Sequence, residues 1–215
     1  MYHTLLGADA FRQGTDLYFD RHDGTAATTD DFAQAMADAG NVDLTQFKRW
    51  YEQPGTPNVS VSEAYADGTL TLRIKQSPAA LPNQEHQNPF HMPLALGFVG
   101  ADGNSVVLNQ SDVTSDGAVT LRDSGETVLL EAKESEHELR INNLPAKPVV
   151  SFLREFSAPV KVSHQRDAEE LAFLVEHDTD GFVRWDAMQT LWMEHFDTNI
   201  NATVDPVATL GGLAK

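Results

Sequence analysis

The 215-residue chain carries 32 acidic against 15 basic side chains, a formal net charge of −17, with 41% hydrophobic residues and no cysteine. That acidity excludes a polyphosphate partner such as nucleic acid, which it would repel, and the missing thiols exclude a disulfide framework, a thiolate metal site and a cysteine nucleophile. The apolar content suffices for the cores of one or two domains, and no apolar run approaches the roughly 18 residues of a membrane-spanning helix.

Met1-Tyr-His-Thr-Leu-Leu6 lacks the basic flank and small-residue cleavage site of a secretory signal, so a cytoplasmic protein is expected. Residues 1–53 then carry helical periodicity. Asp9 is a candidate cap for a helix through His22, with Phe11, Leu17 and Tyr18 on one side. Thr28-Thr-Asp-Asp31 offers a capping-box start. Phe32, Ala35, Met36 and Ala39 follow at helical spacing, and Gly40 is the expected stop. A short helix after Asp43 should bury Leu44, Phe47 and Tyr51 before the linker Pro54-Gly-Thr-Pro57.

From Asn58 the period becomes two. Val59 and Val61 turn across Asp67-Gly68 into Leu70, Leu72 and Ile74. A second hairpin is expected between Leu94–Val99 and Ser105–Leu108, and a third between Val119–Leu121 and Thr127–Leu130. Glu138–Ile141, Val149–Leu153 and Val160–Val162 add extended runs. Eight or nine short strands with turns between them predict an antiparallel, immunoglobulin-like β-sandwich. After His164 the helical period returns. Asp167 and Glu170 form a capping-box pair, Leu171, Leu174 and Val175 an apolar stripe. A last helix from Gly181 should present Phe182, Trp185, Met188, Gln189, Trp192 and Phe196 on one broad face. The fold class is therefore α+β: a central sandwich flanked by helical segments. The last two helices look like the opening pair of a helical array. Residues 201–215 form a small, polar tail expected to fray, and Leu5 and Leu6 stand uncapped near the start, so the chain is expected to be a piece of something longer.

An ordered series of phrases carries a resemblance: His3-Thr-Leu-Leu-Gly7, Tyr18-Phe-Asp-Arg-His-Asp-Gly24, Asp30-Asp-Phe32, Val42-Asp-Leu44, Phe47-Lys-Arg-Trp-Tyr51, Gly55-Thr-Pro57, Phe156-Ser-Ala-Pro-Val-Lys161 and Arg184-Trp-Asp-Ala187. Through them the chain resembles the bacterial aminopeptidase N (alanyl aminopeptidase) group of zinc peptidases. The resemblance implies that residues 1–55 end a thermolysin-like catalytic domain, 56–164 form a β-sandwich domain, and 165–215 begin a C-terminal helical domain. It implies a parent enzyme that hydrolyses the N-terminal residue from peptides with zinc, while this chain alone is inactive. The partners implied are the parent's peptide substrates and the rest of the parent chain, with no nucleic acid and no membrane.

None of the family's chemistry transfers to a residue here. The zinc motif needs histidines at i and i+4 with a glutamate beside the first, yet after His137-Glu138 the second position holds Ile141. Catalytic, cofactor-binding and metal residues are therefore expected to be none. Glu176-His-Asp-Thr-Asp-Gly181 imitates a calcium loop, but its twelfth position is Ala187, and an acidic turn capping the next helix explains it better. His86 and His91 read as a solvated loop, the acidic run Glu131–Glu138 as a charged strand face or edge, and Trp185 and Trp192 as packing residues. The competing reading is a free-standing immunoglobulin-like module for protein or sugar.

Overall fold

The computed structural model describes residues 1–79 and 88–196. Four helices open the chain: α1 (Tyr2–Leu6), α2 (Ala8–His22), α3 (Thr29–Gly40) and, after a 3₁₀ turn at Gln46–Lys48, α4 (Arg49–Glu52). Gly7, at φ 79°, divides α1 from α2 and is itself the cap, so Asp9 lies inside the first turn rather than at the cap. Its carboxylate there still faces the positive end of the helix. Thr28 makes both bonds of the capping box with Asp31. Gly40 closes α3, but the left-handed residue is Asn41, at φ 48°. What Gly40 supplies is proximity: a Cβ there would meet Leu6 Cδ2 at 2.5 Å. Met36, Leu44 and Phe47 form the small core of this segment. Tyr51, expected inside, is exposed, and its hydroxyl meets that of Tyr2 at 3.1 Å. Phe11 and Tyr18 are half-buried, whereas Phe19 faces outward.

Nine strands follow among the described residues: β1 (Asn58–Ala66), β2 (Thr69–Ser77), β3 (Met92–Val99), β4 (Val113–Ser115), β5 (Ala118–Arg122), β6 (Thr127–Ala132), β7 (Glu136–Ile141), β8 (Val149–Phe152) and β9 (Lys161–His164). They form two sheets, β4-β7-β2-β1-β9 and β5-β6-β3-β8. Alternating Val59, Val61, Leu70, Leu72 and Ile74 face Leu94, Leu96, Phe98, Val128 and Leu130 across one core. This is the aligned two-sheet arrangement of an immunoglobulin-like sandwich. Every residue of β3 is buried. One face of that strand lines the core, while Gly97 and Val99 lie against Arg154 and the C-terminal helices.

The first and third hairpins form as expected, the latter pairing Val119 with Leu130 and Leu121 with Val128. The second does not. Val99 and Ser105 make a single bridge, and then the chain peels away so that Leu108 N–H donates to the Gly125 carbonyl. β3 pairs instead with β6 and β8. The sandwich is also not wholly antiparallel, because β9 joins β1 in parallel, Asn58 opposite Lys161. The acidic run is no sheet edge: β6 lies between β5 and β3, and β7 between β4 and β2.

Helices α5 (Ala168–His177) and α6 (Gly181–Phe196) close the described chain. Asp167 caps α5 through the Glu170 amide at 2.8 Å, but the Glu170 carboxylate turns to Lys147 instead of completing a capping box. Leu171, Leu174 and Val175 pack on Val183, Ala187, Met188 and Leu191. The buried stripe of α6 is thus rotated from the expected one. Trp185 and Gln189 point outward, Trp185 at 58% exposure, and Trp192 is half-buried. The expected placement of the Phe196 side chain, of His86 and of the 201–215 tail falls outside the described residues.

Candidate functional site

Among the described residues no three His, Asp or Glu side chains converge as metal ligands, and no helix is long and apolar enough to cross a membrane. Buried polar chemistry gathers instead where the helical segments meet the sandwich. At the N-terminal junction, Trp50 Nε1–H donates to the His91 carbonyl at 2.9 Å and its ring packs on Phe90. Gln46 Nε2 reaches the carbonyls of Pro89 and Lys133. His91, expected in a solvated loop, is 2% exposed and bonds Glu131 through Nε2 at 3.0 Å. The residue sits one step before β3, where the core already covers it, which a local reading of a Pro- and Asn-rich stretch could not show.

That bond to His91, with help from Lys133, holds the Glu131 carboxyl down to about 2, against partial burial that works the other way. The folded pKa lies below the unfolded one, so the stabilisation is full above pH 4.5 and disappears as pH falls toward 2. Because Glu131 remains partly exposed, solvent screening cuts the contribution to about 1–2 kcal/mol. Urea titrations at pH 6 and pH 3 should show Glu131→Gln costing less than about half as much stability at the lower pH as at the higher. An equal cost at both would mean the Glu131 carboxyl is not held down as described.

A second buried histidine locks the turn between β6 and β7. His137 Nε2 accepts from the amides of Lys133 and Glu134, each at 3.0 Å, so its proton must sit on Nδ1, which faces Asp116 at 2.8 Å. The same turn receives Gln46 and Gln76 through the Lys133 and Glu134 carbonyls. Sequence reading singled out His137 only as a failed zinc motif.

The C-terminal junction is built on Arg154. Its Nη1 donates to the Glu126 carbonyl and to Thr127 Oγ1, its Nη2 to Asp178 Oδ1 at 3.2 Å and to Thr179 Oγ1. Asp178 is 3% exposed. The guanidinium lies so close to Gly97 that a Cβ there would approach Cζ to 2.7 Å. Asp180 caps α6 through the Val183 amide and accepts from the Glu155 amide. The calcium-like acidic turn is therefore a helix cap and an arginine clasp. Around Arg154 the backbone is strained: Leu153, Glu155 and Phe156 all take positive φ. Such conformations cost about 1–3 kcal/mol each and persist only where the surroundings enforce them.

Beside this clasp, a groove of about 720 Å³ opens between the β8–β9 side of the sandwich and helices α5 and α6. Phe156, Phe182 and Trp185 form one wall, with ring centroids 4.9 and 5.9 Å apart in succession. His164, its side chain 2% exposed, bonds Glu63 at 2.6 Å, and Lys147 bridges Glu63 to Glu170 on α5. Glu63 is held ionised below the usual carboxylate range: burial pushes the other way, and the bonds to His164 and Lys147 outweigh it.

Comparison with known families and proteins covers this whole arrangement. Residues 55–165 match a family model described as a domain of unknown function (DUF3458) with Ig-like fold, and residues 168–212 match DUF3458_C, described as ARM repeats. The chain is 40% identical over 204 residues to aminopeptidase N of Escherichia coli, 93% of this chain and 22% of that protein. It is 34% identical to aminopeptidase N of Haemophilus influenzae over the same shares. With aminopeptidase N of Caulobacter vibrioides it shares 42% identity over 89% of this chain and 20% of the relative. Among solved structures, Legionella pneumophila aminopeptidase A, crystallised with aspartic acid, superposes with a TM-score of 0.77 at 23% identity, over 98% of this chain and 23% of that one. The chain thus spans about a fifth of the length of the relatives it matches.

Proposed function

We propose, from the premise that the chain belongs to the DUF3458 family of Ig-like domains, that it is the non-catalytic middle of a zinc-dependent aminopeptidase. In this reading residues 1–55 close a catalytic domain, 56–164 are the sandwich, and 165–215 start a helical domain. The sandwich is a structural spacer that fixes the angle between its two neighbours and so helps enclose the chamber where a peptide is held. The observation that carries the reading is the pair of buried polar junctions. Trp50, Gln46 and His91 tie the first helices to the sandwich, and Arg154 with Asp178 ties the last ones, so neither helical segment can swing freely. Similarity that covers 93% of the chain, and so reaches all three segments, favours this over a free-standing binding module.

The described residues do not fit a catalytic zinc, since no three ligands converge among them. The ion, its activated water and the general base belong to residues outside this chain in this proposal, and no catalytic step passes through its side chains. The substrates are peptides with a free N-terminus, and the compartment is the cytoplasm. The test is direct. The isolated chain, incubated with zinc and an alanyl chromogenic amide, should release no chromophore above buffer. Chelator-sensitive hydrolysis by the purified chain would falsify the assignment.

A further inference from the structure

Eight non-glycine residues take positive φ among the described ones. Five of them, Asn41, Asp67, Asp123, Ser124 and Asn143, carry short polar side chains that bond back to nearby backbone and so tolerate this conformation. The other three, Leu153 at 67°, Glu155 at 56° and Phe156 at 50°, all fall in one four-residue stretch after β8. Left-handed backbone is disfavoured by about tenfold for an ordinary L-residue, and Leu and Phe have no polar group with which to offset it. The stretch is held from both sides. Ser157 Oγ accepts from the Ala95 amide of β3 at 3.0 Å. On the other side Arg154 reaches Asp178 and Thr179, and the Glu155 amide donates to Asp180 Oδ2 at 2.9 Å. These ties to the 178–180 turn therefore run through strained backbone, which persists only while its surroundings enforce it.

The N-terminal junction is made differently. Gln46, Trp50 and the Gln53–Asn88 pair bond across it, and none of residues 46–53 or 88–91 takes positive φ. Its hydrogen bonds work against no stored strain, whereas those of the C-terminal junction do. We infer that Leu153–Phe156 is a loaded hinge: the docked α5–α6 pair holds it in its strained form, and when the fold opens locally this junction parts first. The stretch then relaxes toward ordinary φ, and the sandwich stays with the helices that precede it. A few residues at the end of an element that absorb a change in φ are what a domain hinge consists of. The inference goes beyond the spacer reading, since it says which neighbour the sandwich follows, and it rests on the backbone of this chain whatever reaction the parent performs.

Native-state hydrogen exchange of the 215-residue chain, in urea too dilute to unfold it, reads this opening amide by amide. The buried amides of α5 and α6, such as Leu174 and Ala187, should exchange at least about tenfold faster than Ala35 and Met36 of α3, all four being equally buried. Terminal helices fray in any chain, so the decisive comparison is at Glu155, whose side chain is exposed. Glu155→Gly and Glu155→Asn both accept positive φ, and Glu155→Ala does not. The Gly and Asn chains should exchange their α5 and α6 amides about threefold more slowly than the Ala chain, with β3 unchanged; the extra freedom of glycine in the open form takes back part of its gain. Exchange in α5 and α6 no faster than at Ala35 and Met36 overturns the order of opening. Gly and Asn chains that exchange like the Ala chain overturn the stored strain. Neither result touches the hydrolysis assay, so failure of the parent assignment shows up separately.

Discussion

Arg154→Met should cost about 3–5 kcal/mol of unfolding free energy, because it strands the Asp178 carboxylate in a site only 3% exposed. The loss compounds several terms: the ion pair, the bonds to the Glu126 carbonyl, Thr127 and Thr179, and support for three left-handed residues that the clasp holds in place. Methionine keeps much of the aliphatic stem's volume, so the cost is chiefly the unpaired charge. Arg154→Met with Asp178→Leu should recover most of the loss, since an apolar pair carries no buried charge. The pair is imperfect as it stands: Arg154 Nε and Asp178 Oδ2 are both without partners among the described residues. Urea unfolding followed by far-UV circular dichroism reads all three values. A single-mutant loss under about 1 kcal/mol, or no recovery in the double mutant, would show that the clasp does not carry the junction.

Gly125→Ala should be nearly as damaging, at about 3 kcal/mol or more, by backbone geometry alone. Gly125 sits at φ 99°, and a Cβ there would fall 2.3 Å from the Leu108 carbonyl oxygen. Left-handed backbone costs an L-residue roughly 1–2 kcal/mol, and the clash with main chain must be relieved by moving a segment whose own amide is bonded to the Gly125 carbonyl. Gly68→Ala is the control: its φ is 75°, but the nearest atom to a new Cβ is 3.2 Å away, so strain without severe overlap predicts about 1 kcal/mol. Comparable losses at both positions would mean the Leu108 contact is softer than its distance implies.

Local rules made much of this fold legible. The period-two runs around Val59, Leu70 and Val119, the Asp67-Gly68 turn and the Thr28 capping box all depend on neighbours in sequence, and all form. What escaped depends on distant partners. Ser105–Leu108 looks like a return strand because Asp102-Gly103 is a fair turn, yet β3 has better partners in β6 and β8, buried on the far side as well. Val113–Ser115 is too short to show a period, and β9 joins β1 across about a hundred residues of chain. Trp185 and Tyr51 looked like core because aromatic rings usually are. Trp185 is exposed because Val183 and Ala187, smaller and less conspicuous, face inward on α6, and Tyr51 because its neighbour Trp50 takes the inward place on α4. At the junctions the sequence offered still less. Arg154 and Asp178 are 24 residues apart, and neither lies in a motif that announces a pairing.

The parallel ladder between β1 and β9 has a mechanical meaning. The chain enters the sandwich at Asn58 and leaves it at His164, and both strands point the same way. Neighbours pulled in opposite directions, as when a hinged shell opens, would drag these two strands lengthwise past one another. Every rung between Asn58 and Val61 then shares the load together, instead of being unzipped one by one from a free end.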